Sequence, residues 1–361
     1  MGINNNNLDL ILFFVAGFSF LSTILLVPLI KKIGVKYSLF DYPDKRKLKK
    51  NKPLVRIGGL AIFIGFIIGL SIIYFSGNLP NVRFDGISLF GTSFLLTSSA
   101  VFLLGITDDL LQLSPKFRLI FQFSIAVFSW FQGLRINNID FSLISNNLSS
   151  VVLPSYLSLL ITVLWIVAII NAINWMDGLD GLASGIVIIA CTSYFLIEYN
   201  TYAISILFII SSLLGTAAAF LFFNYNPAKI LMGDGGSYFF GYNLAIISFL
   251  SSSDINTSLK FHVPLLVMFV PILDMVYVVS RRIITGRGPF KADRTHIHHR
   301  LIDSGLNERQ TVRIILSISL LISTTLLVIE EILSPIYLYY ALIIHCLLNV
   351  KIREFIKKIL C

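Results

Sequence analysis

The sequence is short of cysteine and short of charge. Its three cysteines stand at 191, 346 and 361, two inside apolar runs and one as the last residue, without the paired spacing of a disulfide framework or a zinc site. Charged residues make up only 13% of the chain, against about a quarter in soluble domains, while 56% are hydrophobic and the mean hydropathy is +0.84. An ordinary soluble globule is excluded, and a membrane protein is implied. Residues 1–10 hold no Lys or Arg, and the apolar run after them, about 20 residues long, ends at Lys31 and Lys32. That pattern reads as a first span rather than a cleaved leader. No internal repeat recurs at a fixed period, and "NNNN" at 4–7 is the one low-complexity tract. A transporter built from inverted repeats is thereby disfavoured.

What is abundant is apolar runs. Ten of them are long enough to cross about 30 Å of hydrocarbon, near 8–30, 57–76, 87–106, 117–133, 155–174, 202–223, 237–253, 258–280, 310–330 and 333–350, and a shorter one lies at 182–197. The expectation is an all-α, polytopic bundle of about eleven transmembrane helices, forming a single domain over residues 1–361. Of the 28 Lys and Arg, three (Arg83, Arg135 and Lys260) fall in the even-numbered connections, leaving 25 in the odd ones and the tail. By the positive-inside rule the N-terminus lies outside and the C-terminus is cytoplasmic. The net charge of +9 is then a topology signal with some attraction to anionic lipid; no nucleic-acid partner is implied, since no basic stripe with interleaved aromatics is present. Segment 134–153 between two spans is Asn/Ser-rich and β-like, a connector.

Every dense polar motif falls in an odd-numbered connection. "DYPDKRKLKKNKPLVRIGG" brings Asp41, Arg46 and Lys47, with Gly58 and Gly59 free to pack closely at the second span. A basic juxtamembrane loop by itself is a lipid-headgroup feature; its functional alternative is a phosphate-handling surface. "GITDDLLQLSPKFRL" holds Asp108 and Asp109, an adjacent pair that repels itself at a membrane boundary and is usually kept with a cation. In "NAINWMDGLDGLASG", Asn171, Asn174, Asp177 and Asp180 recur every third residue, which suits a hard cation or a nucleoside, although Asn and Asp with Gly also make ordinary turns. "GDGGS" sets Asp234 among glycines at the start of a helix, a phosphate-friendly arrangement that lacks the Gly-Lys-Ser/Thr ending of a P-loop. Last comes "KADRTHIHHRL", with His296, His298 and His299 downstream of Arg281, Arg282, Arg287, Lys291 and Arg294. Three histidines can be a metal site, an acid/base pair or a basic turn; the crowd of cations opposes the first. Asp274, mid-span in "VPILDMVYVVS" between Pro264, Pro271 and Arg281, ranks as an interior ion pair ahead of a metal neighbour.

Five clusters on one membrane face read as one active site. A transporter would place ionisable groups toward both faces, and a lipid-binding scaffold would not need the carboxylates. In order and spacing the motifs resemble those of the polyprenyl-phosphate N-acetylhexosamine-1-phosphate transferases, in the WecA/TagO-like branch rather than that of the phospho-MurNAc-pentapeptide translocases. The match runs through residues 41–301. The resemblance implies an enzyme that moves an N-acetylhexosamine 1-phosphate, GlcNAc-1-phosphate first among candidates, from a UDP-sugar to undecaprenyl or another polyprenyl phosphate and releases UMP. It implies a plasma (inner) membrane location with a cytoplasmic site, a role in cell-wall or surface polysaccharide synthesis, and leaves room for a homodimer. It implies Mg²⁺, with Mn²⁺ as an alternative, on Asp234 and Asp177. Asp108, Asp109, Asp177, Asp180 and His298 are implied as catalytic groups, and Arg46, Lys47, Lys116, Asn171, Asn174, Arg281, Arg282, Arg294, His296 and His299 as substrate-binding ones. Three positions depart from the family pattern: Lys49 where a histidine often stands, Gln112 for an acid, and Leu231 for an aromatic.

Overall fold

The computed structural model describes residues 5–41, 53–75, 83–84, 87–88, 92–141, 150–201, 204–250, 259–286 and 295–348. Among them the chain is mostly helical: α1 Asn5–Lys36, α2 Gly59–Phe75, α3 Thr92–Leu111, α4 Pro115–Phe131, α5 Ser155–Met176, α6 Leu182–Thr201, α7 Ile204–Asn224, α8 Gly233–Leu250, α9 His262–Val267, α10 Phe269–Ile284, α11 Ile297–Asp303, α12 Glu308–Ile329 and α13 Ile336–Leu348. Six of these (α1, α3, α5, α6, α7 and α12) are long and apolar enough to cross a membrane, among them the helix at 182–197 that the sequence marked as short. The run at 258–280 holds two helices rather than one, parting at Met268. Pro271 supplies a cause, because its ring crowds the carbonyl of Val267 four residues back and it has no N–H to donate.

The organising element is α8. Gly235–Phe249 are buried without a break, so α8 has no lipid-facing stripe and forms the axis on which α2, α3 and α5 pack. Small residues permit that packing. A Cβ on Gly59 would run into the backbone of Gly236, one on Gly105 into that of Asp234, and one on Gly241 into Ile170. Polar side chains complete the contact: Tyr242 donates to Thr97 at 2.6 Å, Asn243 to Ser98 at 2.9 Å, and the Trp165 indole to Ser248 at 2.8 Å. In an apolar surrounding such pairs satisfy groups that would otherwise be costly to bury.

The two ends of the bundle are finished differently. At one end a three-stranded sheet joins the strand Asn138–Asp140 antiparallel to Val151–Val152 and parallel to Leu259–Lys260, so the β-like connector 134–153 contributes two strands to a sheet. At the other end β1 (Phe40–Asp41) pairs with β2 (Leu54–Val55), and the N-terminus of α8 meets the ends of α2, α3 and α5.

Candidate active site

The site is built around the first turn of α8. A helix start leaves backbone N–H groups unpaired and carries partial positive charge. Here those donors are capped from another helix: Asp109, at the end of α3, accepts the N–H of Asp234 at 2.8 Å and of Gly235 at 2.9 Å. Such an approach demands glycine at 233, whose φ is +73° and where a Cβ would strike the Arg56 carbonyl and the Asp109 carboxylate. Arg56, just before α2, donates to Asp109 from Nε at 3.0 Å and Nη2 at 2.8 Å, and reaches Asp234 at 3.2 Å. Burial works against the Arg56 charge, but the Asp109 and Asp234 carboxylates outweigh it and hold the guanidinium above its ordinary pKa. Asn174 completes the knot from α5, donating to Asp234 at 2.7 Å and to Ser237 at 2.9 Å.

Asp108 turns the other way. It accepts from Arg118 of α4 at 2.9 Å, from the Tyr238 hydroxyl at 3.2 Å and from the Leu113 N–H at 2.9 Å. The last bond follows the left-handed turn at Gln112, φ +52°, which closes α3. Neither Asp108 nor Asp109 lines the cavity beside the knot; Asp109 holds two of its wall residues, Arg56 and Asp234.

That cavity, about 320 Å³, opens between Asn174, Asp177, Asp234, Arg56, Asp41 and the histidine segment. Asp177 caps α5, and Asp180, also in the lining, accepts the Ala228 N–H at 2.9 Å and lies 3.5 Å from the Asn226 amide. Glu308 at the start of α12 accepts from the same amide at 2.8 Å. His296, His298 and His299 all face the cavity. His298, on α11, is 2% exposed and lies so close to Gly178 that a Cβ there would stand 2.7 Å from its Nε2. Burial, then the neighbouring His299 and His296, push its pKa down to about 3, so it is neutral near pH 7.

Of the residues singled out from the sequence, Asn174, Asp177, Asp180, Asp234 and the three histidines meet in the cavity lining. Asn171 does not join them: it donates to Gln122 of α4 at 2.7 Å and to the Val167 carbonyl. The three-residue spacing explains this, because each step turns about 60° around an α-helix and two steps separate Asn171 from Asp177 by about 120°. Lys116 and Arg281 are exposed and outside the lining. Arg282 is buried, its guanidinium 5.3 Å from the Trp175 ring. Arg46, Lys47, Lys49 and Arg294 lie outside the described residues, as do Arg287 and Lys291. Leu231 lines the cavity where the family pattern has an aromatic. Sequence reasoning missed Arg56, Arg118 and Tyr238. Arg56 was one cation among ten in its loop, and the only signal was its place two residues before the glycine pair that docks on α8.

The donor set suits a hard divalent cation. Among the described residues there is no group of three or more His, Cys, Asp or Glu poised for a metal. Asp234 and Asp177 instead share one cavity, and Mg²⁺ commonly takes one or two carboxylates and completes its shell with phosphate oxygens and water.

Known proteins resemble this chain over most of its length. The glycosyl transferase family 4 model matches residues 91–252, the stretch from α3 to the end of α8 that carries Asp108, Asn174 and Asp234. The chain is 32% identical over 349 residues to a "probable undecaprenyl-phosphate N-acetylglucosaminyl 1-phosphate transferase" of Bacillus subtilis, covering 94% of this chain and 93% of that protein. It is 31% identical over 294 residues to a decaprenyl-phosphate N-acetylglucosaminephosphotransferase of Mycobacterium leprae, covering 76% and 72%. It is 27% identical over 299 residues to an undecaprenyl-phosphate alpha-N-acetylglucosaminyl 1-phosphate transferase of Salmonella typhi, covering 81% and 76%. With a likeness that spans nearly the whole length of one relative and a motif set gathered around one helix end, the chain belongs to the polyprenyl-phosphate N-acetylhexosamine-1-phosphate transferase family.

Proposed function

We propose that the chain transfers GlcNAc 1-phosphate from UDP-GlcNAc to a polyprenyl phosphate, undecaprenyl phosphate in the first instance, and releases UMP, as an early membrane step of cell-wall or surface polysaccharide synthesis. The observation that carries this reading is the convergence of sequence-distant carboxylates, amides and imidazoles on one cavity beside the N-terminus of α8. An acceptor phosphate oxygen attacks the sugar-bearing phosphorus of the donor, and the bond from that phosphorus to the bridging oxygen breaks, the bridging oxygen leaving with UMP.

A phosphate monoester has a second pKa of about 6, so the acceptor is largely dianionic at pH 7 and needs no base to attack. Asp108, already holding Arg118 and Tyr238, fits the work of positioning and charge management better than proton abstraction. Asp234 and Asp177 would hold Mg²⁺, with Mn²⁺ as an alternative. Bound there, the ion supplies charge neutralisation on the diphosphate as UMP leaves. Arg56 and Asn174 fix the Asp234 carboxylate, while His298, neutral and buried, offers a hydrogen bond without competing for the anion's charge.

The asymmetry of Lys and Arg supports about eleven spans in one domain, the N-terminus outside and the tail and active site on the cytoplasmic side of the plasma membrane. Membranes containing the protein, given Mg²⁺, polyprenyl phosphate and a panel of UDP-N-acetylhexosamines, should release UMP and form a lipid-linked product with UDP-GlcNAc. No UMP from any donor, with ions or solutes crossing the membrane instead, would move the assignment to a transporter.

A further inference from the structure

Asp274 is a buried carboxylate that the reaction does not need directly. It sits on the inward face of α10, with Val270, Pro271, Val278 and Arg282, and is 4% exposed. It does not line the cavity. Both of its oxygens are used on the histidine segment: Oδ1 accepts the Ile297 N–H at 2.6 Å, capping the start of α11, and Oδ2 lies 2.7 Å from His296 Nδ1. A carboxylate only accepts, so Nδ1 carries its proton toward Asp274. The other ring nitrogen of His296, Nε2, makes no hydrogen bond among the described residues, and His296 is part of the cavity wall. The ring is held on both sides, edge-on to Trp175 at 5.0 Å and stacked on His298 at 5.6 Å with 9° between planes. Trp175 is itself backed by Arg282.

From this geometry we infer that Asp274 is a positioning residue for the transfer: it fixes the ring orientation and proton placement of His296 so that Nε2 is the atom presented to the sugar-diphosphate part of the nucleotide-sugar donor. The inference rests on the proposed reaction and adds a residue to it, from a helix far along the chain and outside the dense motifs. Outer carboxylates that set metal-bound imidazoles contribute roughly 10–100-fold to activity, and the same scale is expected for this substrate-facing ring. Its effect should fall on the donor and leave the acceptor alone.

The substitution Asp274→Asn tests it. The amide oxygen can still accept the Ile297 N–H, while its NH₂ now meets His296 Nδ1 and turns the imidazole proton to Nε2. Expected is a loss of roughly 10–100-fold in kcat/KM for the UDP-sugar, with the KM for polyprenyl phosphate unchanged and the melting midpoint of the detergent-solubilised protein close to wild type. In a His296→Ala background the same substitution should add nothing further, since its effect runs through the ring. Should Asp274→Asn fail to fold, His296→Asn serves, because its amide can replace Nδ1–H toward Asp274 but supplies nothing at Nε2; it should fold and be as impaired as His296→Ala. Additive losses in the double variant, wild-type donor kinetics in Asp274→Asn, or wild-type activity in His296→Asn would each overturn the positioning role. A wild-type protein that releases no UMP from any donor would instead sink the reaction itself, and this role with it.

Discussion

The two ends of this bundle use charge in opposite ways. At the sheet end Glu330, following α12, takes Lys260 at 2.8 Å and His262 at 2.6 Å, and the contacts close on themselves. The His262 hydrogen bond first, then Lys260, hold the Glu330 carboxyl down at about 2. At the other end Arg56 is shared between Asp109 and Asp234, Asp109 is spent on backbone N–H groups, and a cavity is left beside them. One end is a fastener and the other is a preorganised site, its Arg56 and Asp234 walls held by Asp109 from outside the lining. Electrostatic preorganisation of this kind is where catalytic power usually resides.

The largest break in that contrast should come from Asp109→Ala. It removes the cap of α8 and strips a buried partner from Arg56, and breaking a buried pair costs about 3–5 kcal/mol. The expected result is loss of the folded protein, or a steep fall in its melting midpoint in detergent. Asp234→Asn keeps the shape and should leave folding nearly intact. Its cost is expected in UMP formation, roughly 100–1000-fold, on the scale of losing one preorganised group at a developing charge, with the apparent demand for Mg²⁺ raised.

His298 gives a smaller, pH-dependent effect. Its folded pKa of about 3 lies below the ordinary 6.5, so the unfolded chain takes up the extra proton first as pH falls. The stability that neutral His298 lends is complete above pH 6.5 and is lost progressively from pH 6.5 toward 3, about 2 kcal/mol by pH 5. Melting midpoints at pH 7 and pH 5 should differ more for wild type than for His298→Asn. The least effect belongs to the sheet end: Glu330→Gln should cost about 0.5–1 kcal/mol and leave UMP formation within about twofold of wild type. A large loss of activity there would mean that the two ends are coupled.

Much of this contrast was legible in the chain. Alternating apolar runs send successive polar motifs to the same face, so Asp108, Asn174, Asp234 and His298 could be assigned to one site although 190 positions separate the first from the last. Helix phase was harder. A three-residue repeat drifts around an α-helix, and Asn171 was carried toward Gln122 rather than into the cavity. The break at Met268 also escaped hydropathy, which reads straight through Pro271 because both flanks are apolar. Least visible were contacts whose partners come from separate helices. Nothing local distinguishes Arg56 from the other cations of its loop, or tells that Asp109 caps α8; those facts belong to packing. Asp274 was legible as a buried charge in need of a partner, but the sequence did not name that partner, which is His296.

The central claim is that the carboxylate end transfers a sugar together with its phosphate. UDP-GlcNAc labelled with ³²P at the phosphate that bears the sugar tests this most directly, in membranes supplied with Mg²⁺ and polyprenyl phosphate. The label should move into the lipid fraction as unlabelled UMP is released, and Asp234→Asn should suppress both. Label that stays in the aqueous phase as UDP while the sugar alone reaches the lipid would contradict it.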